Sequence, residues 1–495
     1  MKLLQRIVFC FILLFVGSAL SAQQPKFEII ESVIVGGRVT MPNAWADFDN
    51  DGDLDLFIGF RKDLPNRLYR NDGGHFTDIA AKVGVADTAG TWAVAWGDYN
   101  ADGLLDLYVG FKASSSKNRI TNKLYRNDGS NFTDVASSVG LVLPFGTSRQ
   151  ANWIDFDNDG DVDLFVGFRF EPNKLFRNDN GKFIDITEEM GITGARATMS
   201  CVWFDFDMDG DLDLYVANMD GHANRLYRND RTRFVDVAPQ FGLDGGGRDI
   251  SPCPGVLHST GGISPYLVDY DNDGDFDLFV TNLGGPDGFY RNNGGSFVNV
   301  APELGLAHQG YRGTAAWADF NNDGWIDLFV NGTLYRNDKG IFKNVTPETI
   351  QKNVGGYGKI WADFDGDGAM DLTISSNNYP LIRNLLPSKQ ASNCLKVMVL
   401  DANGHHSRAG TEIRLFSSSS KKLIGARIVE TGSGYSAQSV MPEHFGLPKK
   451  ERVDVEITSM TNNGRKTARL NNIDPKKYAG SHLVIKVDIK GNIVK

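Results

Sequence analysis

Short, unbroken apolar runs recur along the chain, such as LFIG at Leu56 to Gly59 and LFVG at Leu164 to Gly167, while helical periodicity is hard to find. A strand that is apolar on both faces is covered on both faces. Each run follows a nine-residue polar block that begins and ends in Asp. The blocks start at Asp47, Asp98, Asp155, Asp205, Asp269, Asp319 and Asp363, separated by 51, 57, 50, 64, 50 and 44 residues. Two residues before each block stands a large apolar side chain: Trp45, Trp96, Trp153, Trp203, Leu267, Trp317 and Trp361. After each run comes a segment of the type LYRNDGG (Leu68 to Gly74 is the first), in which Asn, Asp and Gly predict a hairpin turn. A further strand then carries Phe76, Phe132, Phe183, Phe234, Phe297 or Phe342. Every repeat reads as four strands, the size of one propeller blade.

The seventh repeat stops at Leu381 to Leu386 without its Phe strand, whereas KFEIIESVIV near the N-terminus resembles HFTDIAAKVGV of the first repeat. Phe27 to Ile30 is therefore predicted to supply the outer strand of blade 7 and close the ring. Closure removes the free sheet edge. The expected fold is all-β: a seven-bladed propeller over residues 23–387 and a small β-sandwich or barrel over residues 388–495. The second unit is read from alternation at Leu395, Val397 and Val399, at Val453, Val455 and Ile457, and at Leu483, Ile485 and Val487.

The polar blocks place oxygen ligands at fixed spacing. Position 1 is Asp47, Asp98, Asp155, Asp205, Asp269, Asp319 or Asp363. Position 3 is Asp49, Asn100, Asp157, Asp207, Asp271, Asn321 or Asp365. Position 5 is Asp51, Asp102, Asp159, Asp209, Asp273, Asp323 or Asp367. Position 9 is Asp55, Asp106, Asp163, Asp213, Asp277, Asp327 or Asp371. Position 6 is always Gly, and Asp53, Asp161, Asp211 and Asp275 add an acid at position 7, whose carbonyl is also a ligand. Oxygen-only donors at this spacing suit a hard cation, and Ca²⁺ takes six to eight of them. The blocks hold 30 of the 61 acidic residues, which repel one another without metal. The expectation is up to seven structural Ca²⁺ sites, weaker in the second, sixth and seventh blocks, where Asn100, Asn321, Leu104, Trp325 and Ala369 replace acids.

Composition sharpens this picture. A formal net charge of −10 disfavours a nucleic-acid partner and favours a cationic one. Residues 1–22 read as a cleaved secretory signal peptide, with Lys2 and Arg6 before an apolar stretch and small residues at its end. The mature chain then has no membrane span and is expected to be secreted, or periplasmic or at the cell surface in a bacterium. Cys201, Cys253 and Cys394 remain, enough for at most one disulfide. No GxSxG, HExxH, P-loop or CxxC motif is present. The longest break in the repeat, Gly242 to Pro265, carries Arg248 and His258 and is the expected binding surface. With Tyr266 these residues leave open a lectin-like or lyase-like polysaccharide site.

The DxDxDGxxD blades resemble FG-GAP/VCBS repeats. Ser407 to Leu415 (SRAGTEIRL), Arg427 to Ser439 (RIVETGSGYSAQS), His444 to Leu447 (HFGL) and Val453 to Ile457 (VDVEI) resemble an ASPIC/UnbV domain. The two together resemble the cartilage acidic protein family. That resemblance implies extracellular calcium binding and a non-enzymatic adhesion or interaction role toward a protein or glycan. GSGYSAQS reads as a tight turn feeding a strand, with a binding loop as the alternative.

Overall fold

The innermost strand of each repeat runs straight into its Asp block, and the strand after the block begins at the position 9 Asp. In blade 1 these strands are Thr40–Ala46 and Asp55–Phe60, followed by Arg67–Asp72 and His75–Asp78. The computed structural model describes residues 24–30, 40–61, 64–112, 121–141, 146–192, 197–245, 261–308, 313–351, 356–376, 379–432 and 435–494. Seven antiparallel sheets follow one another, and their innermost strands pack side by side around a central channel. Blade 7 has Lys359–Ala362, Asp371–Ile374 and Leu381–Asn384, and its outer strand is Phe27–Ile30. Phe27 pairs with Asn384 and Ile30 with Leu381, so the N-terminal strand closes the ring as the missing Phe strand predicts.

Aromatic side chains join the blades. Trp45 of blade 1 stacks on Phe364 of blade 7 at 6.0 Å, Trp96 on Phe48 of blade 1 at 6.1 Å, and Trp361 on Phe320 of blade 6 at 6.4 Å. The Trp before one Asp block thus meets the aromatic at position 2 of the preceding block, which explains why both recur.

The Asn of the LYRN segment does more than turn a hairpin. Asn71 donates from Nδ2 to the carbonyl of Phe364 at position 2 of blade 7 (2.8 Å), Asn127 to Phe48 (2.9 Å), Asn178 to Tyr99 (2.8 Å) and Asn384 to Phe320 (2.7 Å). Each of these Asn residues is buried, and each latches its blade to the one before.

Residues after the ring form a sandwich of two four-stranded sheets. One contains Cys394–Asp401, Glu443–Gly446, Leu483–Val487 and Ile493–Val494; the other contains Glu412–Ser417, Leu423–Ile428, Val453–Ser459 and Lys466–Ile473. Leu395, Val397, Val399, Val453, Val455, Ile457, Leu483 and Ile485 fill its core, the positions the alternation marked.

The sandwich sits on the face that carries the Asp blocks. Arg414 donates to the carbonyl of Gly274 (2.7 Å), Asn462 to Asn158 (3.0 Å), and His444 Nε2 lies 3.3 Å from the carbonyl of Gly368. At Gly446 of HFGL the approach is so close that a Cβ would run into the Asp319 carboxylate.

Tyr435 to Ser439 of GSGYSAQS go into the central channel. They include a two-residue strand, Ala437–Gln438, parallel to the innermost strand of blade 2. Gln438 accepts from the backbone N–H of Trp153 (2.7 Å), Ser439 Oγ accepts from Trp45 N (3.1 Å), and Asn152 donates to the carbonyl of Thr431 (2.7 Å). The segment is therefore a plug: it does enter a strand, but the strand belongs to a propeller sheet. Its Tyr435 ends among Met41, Trp92, Met199, Ile263 and Tyr357, with Arg149 hydrogen-bonded to its hydroxyl.

Candidate metal centres and the covered face

The Asp blocks are built alike because each carboxylate has a turn to hold. At position 1, Asp47 accepts from the N–H groups of Asp51 and Gly52, both at 3.0 Å, and Asp155 accepts from Asp159 (3.0 Å) and Gly160 (3.1 Å). Gly52 needs φ of +99° and Gly160 of +104°, which favour glycine. At position 5, Asp51 accepts from Asp53 N (2.9 Å) and Asp367 from Ala369 N (2.8 Å).

At position 9 the carboxylate ties the start of the second strand to the block turn and to the third strand. Asp55 accepts from Phe48 N (3.2 Å) and Asn71 N (2.8 Å), Asp163 from Phe156 N and Asn178 N, and Asp213 from Phe206 N and Asn229 N. Asp55, Asp106, Asp163, Asp213, Asp277 and Asp371 are fully buried, and Asp327 nearly so.

Position 3 carries the signal of a ligand site. The Oδ1 atoms of Asp49, Asn100, Asp207 and Asp271 are buried with no hydrogen-bond partner. A buried oxygen left unpaired is costly, and a cation satisfies it.

Carboxylate oxygens converge within 4.8 Å of one another in five groups: Asp47, Asp49 and Asp55; Asp155, Asp157 and Asp163; Asp205, Asp207 and Asp213; Asp269, Asp271 and Asp273; and Asp363, Asp365 and Asp371. These donors fit a hard divalent cation. Blades 2 and 6 have an amide in place of the position 3 acid, and the Nδ2 atoms of Asn100 and Asn321 donate to Asp102 (2.8 Å) and Asp323 (2.9 Å). Blade 7 keeps its triad. Ala369 loses nothing there, since position 7 serves the turn through its N–H.

The position 7 acids do not join the triads as side-chain ligands. Asp53 accepts from Gly73 N (2.7 Å), Asp161 from Asn180 N (2.8 Å) and Asp275 from Gly294 N (3.0 Å), while Asp211 pairs with Arg231 at 2.6 Å. Their carboxylates are committed to the neighbouring hairpin.

Burial sets the electrostatics of the blocks. It raises Asp47 and Asp205 to about 6, Asp269 to about 7, Asp55, Asp106 and Asp155 to about 8, and Asp277 to about 9. Neighbouring carboxylates of the same block push in the same direction.

The sandwich answers with positive charge. Lys396 Nζ lies 2.7 Å from Asp363, and Arg465 bridges Asp205 (2.8 Å) and Glu412 (2.6 Å). Arg408 lowers Asp155, Arg427 lowers both Asp269 and Asp319, and His405 lowers Asp98 by charge alone. Six of the seven position 1 carboxylates thus feel a basic side chain of the sandwich.

Other expected site residues lie elsewhere. Tyr266 is buried in the innermost strand of blade 5, where its hydroxyl accepts from Ala315 N at 2.8 Å, so it is a packing residue and not a surface base. Arg248, His258 and Cys253 lie outside the described residues, as does the segment 1–22. Cys201 and Cys394 are not bonded to each other. The described ends of the Gly242 to Pro265 insertion adjoin a cavity of about 300 Å³ lined by Asp244, Gly245, Asn282, Pro286, Asp287 and Tyr290. Among the described residues no helix is long and apolar enough to cross a membrane.

An FG-GAP-like repeat model matches residues 47–109, 155–216 and 269–330, which are the Asp blocks and following strands of blades 1–2, 3–4 and 5–6. The chain is 26% identical to cartilage acidic protein 1 of Xenopus tropicalis over 213 residues, 42% of this chain and 31% of that protein. It is also 26% identical to the Mus musculus protein over 243 residues, 46% of this chain and 35% of that protein. The match therefore spans about a third of these relatives' length. Among solved structures, "YCF48 bound to D1 peptide" aligns with a TM-score of 0.42 at 11% identity, over 72% of this chain and 96% of that one. "Crystal structure of BBS1N in complex with ARL6DN, soaked with mercury" aligns with 0.43 at 12%, over 72% and 97%. The chain is a β-propeller that contains FG-GAP-like repeats and is similar over part of its length to cartilage acidic protein 1.

Proposed function

We propose that this protein is a secreted, calcium-loaded, non-enzymatic adhesion or ligand-binding module, with an ASPIC/UnbV-like sandwich that covers its metal face. The observation that carries the reading is how the surfaces are used. Metal blocks and sandwich occupy one face and the plug fills the channel, so we assign partner binding to the opposite face, where the blade 5 strand Gly261–Val268 begins directly after residues 246–260 of the insertion in sequence. The acidic cavity at the foot of that insertion suits a cationic group on the partner. Seven Ca²⁺ would add +14 to a mature charge of −12. The carboxylates of blades 1, 3, 4, 5 and 7 are the stronger ligand sets, and blades 2 and 6 the weaker.

A partner found by pull-down or glycan array on the mature chain tests this reading. Replacing residues 246–260, which keeps the blade 5 strand Gly261–Val268, with the four residues 142–145 of a shorter connection is expected to leave folding and calcium binding intact while weakening that partner at least tenfold, about 1.4 kcal/mol. Full binding after the swap would place the site elsewhere. Asp157→Ala is expected to remove one bound Ca²⁺ and lower thermal stability more than Asn321→Ala. Calorimetric titration of both variants checks the order, and equal losses would overturn the ranking of the blades.

A further inference from the structure

The net charge of −10 hides a division. Residues 388–495 hold 18 Lys and Arg against nine Asp and Glu, which is +9, and residues 1–387 carry −19. Some of the sandwich's cations face the Asp blocks. Others gather at one end of the sandwich, where the 418–422 turn meets the 447–452 loop through a Ser418 N to Arg452 carbonyl hydrogen bond (3.0 Å).

Eight basic residues stand there: Lys421, Lys422, Lys449, Lys450, Arg452, Arg469, Lys476 and Lys477. Four acids tie them into one surface, among them Glu456, 3.6 Å from Arg469. Asp454 takes Lys421 (2.8 Å) and Arg469 (3.5 Å), Glu451 takes Lys449 (3.4 Å), and Asp474 takes Arg452 (3.7 Å) and accepts from Lys476 N (3.2 Å). Asp454 and Glu451 are sunk and their lysines stand out. Asp454 is 1% exposed and Glu451 13%, against 64% for Lys421 and 65% for Lys449. What a solvent-borne partner meets is positive charge, with the hydroxyls of Ser419 and Ser420 beside it.

We propose that this end of the sandwich is a second binding surface, for an acidic polysaccharide that carries sulfate or carboxylate groups along its chain. Three features favour that polyanion. The cations are spread over three loops, which suits repeated charges on an extended chain. None of the exposed large apolar side chains among the described residues lies in these loops, so nothing is placed to enter a bilayer or to stack unpaired bases. Long exposed Lys side chains beside hydroxyls suit flexible, hydrated anions. The surface is separate from the insertion-bearing face; the proposal rests on the secreted reading only for the choice of a polysaccharide as probe.

The test uses the mature full chain with heparin as the sulfated probe, and dextran, anionic lipid vesicles and single-stranded DNA as comparisons, all at 0.15 M salt. The variant Lys422→Glu, Lys450→Glu, Lys476→Glu, Lys477→Glu spares the bases that pair with Asp454. A control reverses the same number of exposed charges on the propeller: Lys82→Glu, Lys182→Glu, Lys339→Glu, Lys343→Glu. Wild type and control are expected to bind heparin and not dextran, and the sandwich variant to bind at least tenfold more weakly with a shallower salt dependence and an unchanged melting temperature. The proposal is overturned if wild type does not bind heparin, if the sandwich variant stays within twofold of wild type, if the control loses as much, or if vesicles or DNA bind as tightly as heparin. A lowered melting temperature in the variant calls for Lys422→Gln, Lys477→Gln, which must then weaken heparin at least threefold. Calcium content and partner binding at the Gly242 to Pro265 insertion are unaffected by these variants, so failure here is distinct from failure of the function proposed above.

Discussion

Chelation of divalent metal at pH 8 is expected to lower the melting temperature by about 10 °C, with recovery on adding Ca²⁺ and much less on adding Mg²⁺, which demands a smaller octahedral shell. Each site tenfold above its dissociation constant contributes about 1.4 kcal/mol. The five carboxylate triads together then give about 7 kcal/mol, and at ~2 cal/mol/K of unfolding entropy per residue a ring of this size shifts by roughly that 10 °C. The pH dependence has a definite sign. Asp155 near 8 and Asp269 near 7 are raised above the ordinary 3.8 by burial, so the metal-free fold binds protons more tightly than the unfolded chain. Metal-free protein should therefore gain stability as pH falls from about 8 toward about 4, whereas calcium-loaded protein should lose it as protons displace the ion. Thermal scans with and without chelator across that range check both arms. Fewer than three bound Ca²⁺ by elemental analysis at millimolar calcium would end the multi-site reading.

Deleting residues 24–30 is expected to cost more than any trimming of a free end. Phe27 is buried against Phe320 and Trp361, with ring centroids at 6.2 and 6.3 Å, and the four-residue strand pairs along its whole length with Leu381–Asn384. Phe27→Ala alone should cost about 3–5 kcal/mol, and the deletion more, because it also exposes the edge of blade 7. Denaturant unfolding of the two variants measures the difference. A deletion as stable as the intact chain would mean that the ring holds without its closing strand.

The repeat made the propeller legible because each unit meets the same surroundings. Asp, Gly and Trp recur wherever the same turn and the same blade-to-blade contact recur, and the count of Phe strands was enough to place Phe27. The same repetition hid roles as well as revealing them. Asn71 and its equivalents look like turn residues because their acceptor belongs to another blade, and the turn alone accounts for an Asn. Asp53 reads as a ligand by spacing, yet its carboxylate holds a hairpin twenty residues on. The plug had no local signal: Gln438 and Tyr435 are specified by Trp153 and Arg149, nearly three hundred residues away. Summing charge over the whole chain concealed the basic sandwich, whose excess is smaller than the acidity of the ring.

Ring closure also constrains the order of assembly. Phe27–Ile30 is synthesised before blades 1 to 7, yet its partner Leu381–Asn384 follows about 350 residues later, and the plug later still. Blades 1 to 6 are local meanders that can form as they emerge, while contacts across such separation pay the full entropy of closing a long loop. Closure is thus the final event of propeller folding, and until it happens the nascent chain is an open arc with two bare edges, the state in which pairing with another chain is most dangerous. The sandwich is synthesised after both closing strands, so its plug can enter the channel only once every blade of the ring has been made.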